Sequence, residues 1–171
     1  MSSKQQKNTI RKKVYSILTL IVLLLIFLFF LSFSIRNATI CTNINSRNLK
    51  EYSGSYNISI SHRARNTIYY VSLENGDMVQ ITPELLKNGS DFSEHPVIHF
   101  VYSEPRFGLP SGYTCVGIYS TNNSECYMEI EDSLGNAKIG MYIGITFSII
   151  TFALAVLLFV SYLTAYHFKK K

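Results

Sequence analysis

Two long uncharged hydrophobic blocks, residues 14–35 and 139–168, dominate the pattern of the chain. About 20 apolar residues, each rising ~1.5 Å along a helix, are enough to cross the ~30 Å hydrocarbon core of a bilayer. A buried helix of a soluble protein would show a shorter run or a polar stripe, and neither block does. The pattern therefore predicts two transmembrane helices, one at residues 14–35 and one, with its flanks, at 136–167, and it excludes a simple soluble globule.

Between the two blocks the period changes to two, which is typical of half-buried strands. Tyr56, Ile58 and Ile60 alternate with polar residues, and Asn75-Gly76 separates two β-branched and aromatic runs. Asn-Gly between such runs predicts a hairpin with a type I′ turn, in which both central residues have positive φ.

Three more strand-like runs follow, and the last two are predicted to form a hairpin around Asn122-Asn123. The six predicted strands cover about residues 56–61, 67–73, 78–82, 97–102, 114–119 and 125–130. Six short strands with regularly spaced turns predict an all-β domain at residues 51–132, a small barrel or a compact sandwich. Residues 36–50 are rich in Asn, Ser and Thr and are predicted to be a linker.

Charged residues divide the chain in a way that predicts its orientation. Residues 1–13 hold five basic residues and no acid, and the short tail 168–171 ends in three lysines, so the loop keeps eight of the 16 Lys and Arg and all 11 Asp and Glu. Basic flanks stay in the cytoplasm. We therefore expect a multi-pass protein of the cell membrane with both termini cytoplasmic and the loop extracytoplasmic.

The same distribution bears on partners. The formal net charge of +5 comes from the two tails beside the lipid bilayer, so no nucleic-acid partner is predicted.

One alternative concerns the first block: Lys12-Lys13 before it and Ser32-Phe33-Ser34 at its end are compatible with a cleaved signal peptide. Its apolar run is longer than the usual signal core, which favours a retained helix.

The second block carries small residues at every fourth position, namely Gly140, Gly144 and Ser148. Small side chains allow two helix backbones to approach closely inside a bilayer. This predicts a helix-packing face, for which the partner is the chain's own first helix, a second copy of the chain or another membrane protein.

The three cysteines, Cys41, Cys115 and Cys126, lie in a loop that we expect on the oxidising side of the membrane. A disulfide between Cys115 and Cys126 is compatible with a hairpin turn on Ser120-Thr121, which places the two opposite each other. A turn on Asn122-Asn123 offsets them by four residues, about 13 Å, which is too far for a disulfide. At least one thiol is free in either case.

Residues that could carry chemistry are few and scattered. His95 and His99 would lie about 13 Å apart on a strand, too far to bind one metal ion. Glu125, Glu129 and Glu131 share one face of the last predicted strand and are expected to point to water. Four Asn-x-Ser/Thr sites, at Asn37, Asn57, Asn88 and Asn122, do not decide whether the chain is glycosylated. We predict no catalytic residue, no cofactor and no metal ion, and the chain is not expected to be an enzyme.

Four segments carry a resemblance to a known group of proteins: residues 54–60, 69–76, 98–103 and 112–120. The elements follow in the order strand, Leu-x-Asn-Gly hairpin, strand ending in Tyr-Ser, further strand, acidic strand and second helix. This order resembles that of two-pass bacterial membrane proteins of unknown function with a small outward β-domain. The resemblance covers about residues 50–160. It implies a bacterial cell membrane and a barrel-like domain, and it supplies no functional residues.

Three functional hypotheses fit these observations. The first is a non-enzymatic, membrane-anchored binding or interaction module that faces outward, because an exposed sheet edge can accept a partner strand. The second is an accessory subunit of a channel, transporter or secretion complex, which would dock through Gly140, Gly144 and Ser148. The third is an envelope hydrolase, which would need a nucleophile and a base brought together in space. The absence of a charge inside either block argues against a transporter acting alone.

Overall fold

The computed structural model describes residues 3–63, 66–87, 92–104, 113–122 and 124–167. The chain forms two compact units. The first contains Met1–Ser34 and Tyr142–Lys171, and the second contains Ile35–Met141. Each unit includes parts of both long helices, α1 (Ser3–Asn45) and α2 (Ile130–His167).

In the first unit the two helices pack against each other along apolar side chains. The rings of Phe30 and Phe147 stack with centroids 4.9 Å apart, and those of Phe27 and Phe152 lie 5.6 Å apart. Most other large side chains on these stretches are exposed. Two segments, Val14–Asn45 and Ile130–Thr164, are long and apolar enough to span a membrane.

The second unit is built on one sheet of seven strands. The strands are β1 (Lys50–Gly54), β2 (Tyr56–Arg63), β3 (Asn66–Leu73), β4 (Met78–Ile81), β5 (Ile98–Ser103), β6 (Tyr113–Ser120) and β7 (Cys126–Met128). Their order in the sheet is β1-β5-β6-β4-β3-β2, with β7 also pairing to β6. All pairs are antiparallel except β4 with β6. Short 3₁₀ turns lie at Pro83–Leu85 and Phe92–Glu94.

One face of this sheet carries the main hydrophobic core. Phe100 is fully buried at its centre, and its ring meets the ring of Tyr56 at 5.2 Å and that of Phe92 at 6.4 Å. Because Tyr56 lies on β2 and Phe100 on β5, four strands apart in the sheet order, the sheet curls around its core. The other buried members of this cluster are Val71, Leu73, Val79, Ile81, Ile98, Tyr102, Cys115, Ile118, Tyr127 and Met128.

The opposite face is covered by the ends of the two helices that belong to this unit. Ile40 and Cys41 from α1 and Ala137 from α2 are buried against Val101 and Val116. Two polar contacts fix the end of α1 to the sheet. Buried Asn43 donates to the Ser103 hydroxyl at 2.8 Å, and the Arg36 guanidinium donates to the Thr114 hydroxyl at 3.1 Å.

This architecture confirms two long apolar helices that flank a β-sheet domain, and it corrects the predicted sheet. The described ranges contain seven strands rather than six, because β1 lies before the first predicted strand, where the predicted linker meets the predicted domain. The sheet is neither a closed barrel nor a two-sheet sandwich. β1 pairs with β5 and β2 pairs with β3, so the two terminal strands of the sheet do not pair with each other.

The predicted element boundaries also change at both helices. The predicted linker at 36–50 is helical as far as Asn45, because Ile40, Cys41 and Ile44 form one apolar stripe that the sheet buries. The last predicted strand stops at Met128, and α2 begins at Ile130 rather than near residue 136. Glu131 and Asp132 occupy the first turn of α2, where the helix dipole favours negative charge.

The predicted hairpin at Asn75-Gly76 is present, although its turn is not type I′. Leu73 N donates to Asp77 O at 2.9 Å, which leaves a three-residue loop, and within the described chain Gly76 is the only residue of this loop with positive φ. A three-residue loop with glycine in the left-handed region is a common alternative in hairpins.

Candidate functional site

The outer edge of β2 is the most open backbone surface of the sheet. β2 is the last strand in the sheet order, and within the described ranges it pairs with β3 alone. It is eight residues long and has no charged or proline residue from Tyr56 to Ser61. Natural proteins usually protect such an edge with charges, proline or a bulge, since it offers unpaired N–H and C=O groups to any other strand.

The hydrogen-bond pattern identifies which backbone groups point outward. Leu73 N donates to Asp77 O, so the backbone groups of Leu73 face β4. In an antiparallel sheet this direction alternates along a strand, so Tyr70 faces β2, where its register partner is Ser59. The backbone groups of Ser59 therefore bond to β3, and those of Ile58 and Ile60 point away from it. In the part of the chain that the structure describes, no backbone hydrogen bond reaches these outward groups.

The side chains along β2 extend the apolar face of the sheet beyond its core. Ile58 is partly buried against the main core, whereas Ile60, two residues further along, is 54% exposed. On the other face, Asn57 and Ser59 are exposed, and the Ser59 hydroxyl donates to Tyr70 O at 3.2 Å. The strand thus presents an apolar side, a small polar side and two backbone positions that are unpaired within the described ranges.

The other terminal strand, β1, differs from β2 in length and in charge. It is five residues long, it contains Lys50 and Glu51, and it ends in Gly54. Lys50 Nζ donates to the Tyr113 hydroxyl at 2.7 Å. Charge and short length disfavour strand addition at this edge, so the two edges of the sheet are not equivalent.

Two of the three residues predicted to form a helix-packing face, Gly140 and Gly144, lie close to α1. In the sheet unit, a Cβ on Gly140 would lie 2.9 Å from the Asn37 side chain. In the helical unit, a Cβ on Gly144 would lie 2.8 Å from Ser34 Cβ and 3.0 Å from the Phe30 carbonyl oxygen. Ser148 is also buried, and its hydroxyl has no hydrogen-bond partner in the described chain. The space beside the two glycines is therefore occupied by the chain's own first helix.

All three cysteines are free, so the structure does not contain the disulfide considered between Cys115 and Cys126. Cys126 lies opposite Tyr119 in the β6–β7 pair, and Cys115 is four residues earlier on β6, opposite Tyr102 of β5. This is the offset expected for a turn near Asn122. Burial raises the pKa of the Cys115 thiol to about 12, so this thiol is protonated and unreactive at neutral pH.

His95 and Glu125 line a shallow depression of about 470 Å³ beside the Ser120–Glu125 turn. Their side chains are 4.0 Å apart, and the Tyr127 hydroxyl donates to Glu125 Oε2 at 2.7 Å. This hydrogen bond raises the pKa of Tyr127 to about 12. Within the turn, the Asn122 side-chain oxygen accepts from the Ser120 and Ser124 hydroxyls. Because these side chains form hydrogen bonds with one another, we interpret the depression as the surface of a hydrogen-bonded turn.

A second histidine cluster was not foreseen from the sequence. Ser53 Oγ lies 2.6 Å from His99 Nδ1, and Glu51 Oε2 lies 3.8 Å from His99 Nε2. The arrangement differs from a hydrolytic triad, in which the carboxylate binds Nδ1 and the nucleophile faces Nε2. Ser53 and His99 are direct partners in the β1–β5 register, so their hydrogen bond is an ordinary cross-strand pair.

The other acidic residues singled out from the sequence are spread over the surface. Glu129 forms an ion pair with Lys87, and Glu131 lies in the first turn of α2. Across the described ranges, no three His, Cys, Asp or Glu side chains are placed to hold a metal ion.

Compared with protein-family models, with curated proteins and with solved structures, the chain matches none of them.

Proposed function

We propose that this chain is a membrane-anchored binding module, which faces outward and holds its partner by strand addition at the outer edge of β2. The observation that carries the proposal is the uncharged edge from Tyr56 to Ser61, with the backbone of Ile58 and Ile60 unpaired in the described chain. In strand addition the main chain supplies affinity and alternate side chains supply specificity.

Anchoring and orientation are supported by the two apolar helices and the basic tails. Both candidate spans exceed the length needed to cross a bilayer, and basic residues concentrate before residue 14 and at the C-terminus. By the positive-inside rule, both tails are cytoplasmic and the sheet unit is extracytoplasmic.

The alternative, an accessory subunit that docks through Gly140, Gly144 and Ser148, has less support. The space beside Gly140 and Gly144 is occupied by side chains and backbone of α1. A partner helix would have to displace α1 to reach these two positions. A Gly144→Leu variant would also push α1 away, so it cannot by itself separate the two hypotheses.

Location is tested by labelling an introduced cysteine with a membrane-impermeant maleimide in intact cells, in a Cys126→Ser background in which the two remaining cysteines, Cys41 and Cys115, are buried. Met78→Cys, at an exposed position of β4, is expected to react from outside. Ser3→Cys is expected to react only after the cells are permeabilised, since it belongs to the N-terminal tail. The reverse pattern would contradict the proposed orientation.

Binding is tested by cross-linked pull-down from native membranes with two variants of one position. Ile60→Pro removes an N–H that points outward and leaves the bonds from β2 to β3 in place, whereas Ile60→Val keeps that N–H and a β-branched side chain. We expect wild type and Ile60→Val to retain the same partner and Ile60→Pro to lose it. Full retention of every partner by Ile60→Pro would refute the proposed function.

A further inference from the structure

We infer that the partner at this edge is a second copy of the same chain, paired β2 to β2 in antiparallel register with Ser59 on the twofold axis. The inference rests on the proposed function, since it names the occupant of the same edge.

The side-chain pattern of β2 is complementary to itself around Ser59. An antiparallel pair centred there places Ile58 opposite Ile60 of the other copy, and Asn57 opposite Ser61 of the other copy. Apolar residues then meet on the core face and small polar residues meet on the other. Ile60, which is 54% exposed in one chain, gains an apolar cross-strand neighbour on each side of the axis.

The backbone directions fit the same register. Ile58 and Ile60 have their outward N–H and C=O groups at equivalent positions, so each Ile58–Ile60 pair across the axis can exchange two hydrogen bonds. Ser59 directs its backbone groups to β3, so the Ser59–Ser59 pair falls at a site without hydrogen bonds. Hydrogen-bonded and non-bonded pairs alternate in this way in every antiparallel ladder.

Charges also favour self-pairing over repulsion. The first charged residue of β2 is at position 63, an arginine, and the register places this position opposite Ser55 of the other copy. The Ser55 hydroxyl donates to the Glu74 carboxylate in each chain. From position 55 to position 63, the register places no two like charges opposite each other.

A single added strand pair is a small interface, and the membrane strengthens it. Two copies anchored in one bilayer meet at a higher effective concentration than two free proteins. The edge of β2 therefore needs to supply chiefly register and specificity.

Disulfide cross-linking in native membranes tests the register, in the Cys126→Ser background. Residues that face each other at a non-bonded antiparallel pair have Cα atoms about 4.5 Å apart, within the range of a disulfide. Ser59→Cys is therefore expected to give a covalent dimer under mild oxidation. Asn57→Cys is the matched control, since its equivalent in the other copy is displaced by four residues, about 13 Å. Asn57→Cys mixed with Ser61→Cys is expected to cross-link.

Each result has a defined meaning. Dimers from Ser59→Cys and from the mixed pair, but not from Asn57→Cys alone, support the inference. Equal dimer formation by Asn57→Cys and Ser59→Cys indicates random collision and overturns it. Absence of any dimer, with partner loss in Ile60→Pro, means that a foreign extended strand occupies the edge; that overturns the second copy and leaves the proposed function intact.

Discussion

Proline substitutions at adjacent positions of β2 should destabilise the fold by unequal amounts, because their N–H groups point in opposite directions. Ser59 bonds to β3 through its backbone, opposite Tyr70, and Ile60 does not. Ser59→Pro removes a ladder hydrogen bond and the Ser59 hydroxyl that also donates to Tyr70 O. Ile60→Pro removes a donor that is unpaired in the described chain.

The magnitudes follow from the bonds that each variant loses. A lost hydrogen bond costs about 0.5–1.5 kcal/mol and a carbonyl left without its donor about 1–3 kcal/mol, so Ser59→Pro should destabilise the sheet by about 2–4 kcal/mol. Ile60 is more than half exposed, so the loss of its side chain should cost about 1 kcal/mol or less. For a domain of this size, Ser59→Pro should lower the Tm by roughly 10–20 °C.

Near-ultraviolet circular dichroism of the tyrosines is a suitable assay in detergent. Eight of the 12 tyrosines lie between residues 51 and 132, and the chain has no tryptophan, so the signal follows the sheet unit. Ser59→Ala removes the hydroxyl and keeps the N–H, and it controls for the side chain. Equal loss of Tm in Ile60→Pro and Ser59→Pro would refute the backbone directions on which the candidate site depends.

Four further predictions concern the core, the helix pair and the cysteines. Phe100 is fully buried between Tyr56 and Phe92, so Phe100→Ala should cost about 3–5 kcal/mol in denaturant unfolding, and a cost below 1 kcal/mol would contradict this core. In Gly144→Ala the added methyl group meets the backbone of α1, so this variant should lower the Tm of the helices. Gly135 has open space around it, so Gly135→Ala should raise stability by up to about 1 kcal/mol. Equal effects of the two variants would argue against a close approach of α1 to Gly144. Maleimide should label the partly buried Cys126 in the native protein and Cys115 only after unfolding, while protection of both until a reductant is added would indicate a disulfide. Because the folded state keeps the Cys115 thiol protonated to about pH 12 and the unfolded chain releases the proton near pH 9, stability should fall as the pH rises from 9 to 12, and Cys115→Ala should remove that part of the decline.

The local pattern of the sequence was enough for most strands and for the hairpin at Asn75-Gly76, since alternation and turn residues act over a few positions. It was not enough for residues 36–50. Their Asn, Ser and Thr content indicates a loop, yet Ile40, Cys41 and Ile44 are buried by Val101 and Val116, which are more than fifty residues away along the chain. Tertiary burial overrides local propensity in such a segment.

The candidate site was predictable only in outline. The alternation at Tyr56, Ile58 and Ile60 predicts a half-buried strand. Its position at the end of the sheet, however, depends on β1 pairing with β5 while β2, which follows directly after Ser55, pairs with β3. The cross-strand pair of Ser53 and His99 likewise depends on the pairing of β1 with β5. Strand order depends on packing across the whole core, and the alternation of residues within one strand does not predict it.

A photoreactive amino acid placed at position 60, with position 78 as control, tests the central claim most directly. Ile60 and Met78 are similarly exposed, at 54% and 48%, but only Ile60 lies on the outer edge of β2. After irradiation of native membranes, we expect a discrete cross-linked partner from position 60 and none from position 78. No adduct at position 60 beyond the level at position 78 would contradict a binding module that acts through this edge.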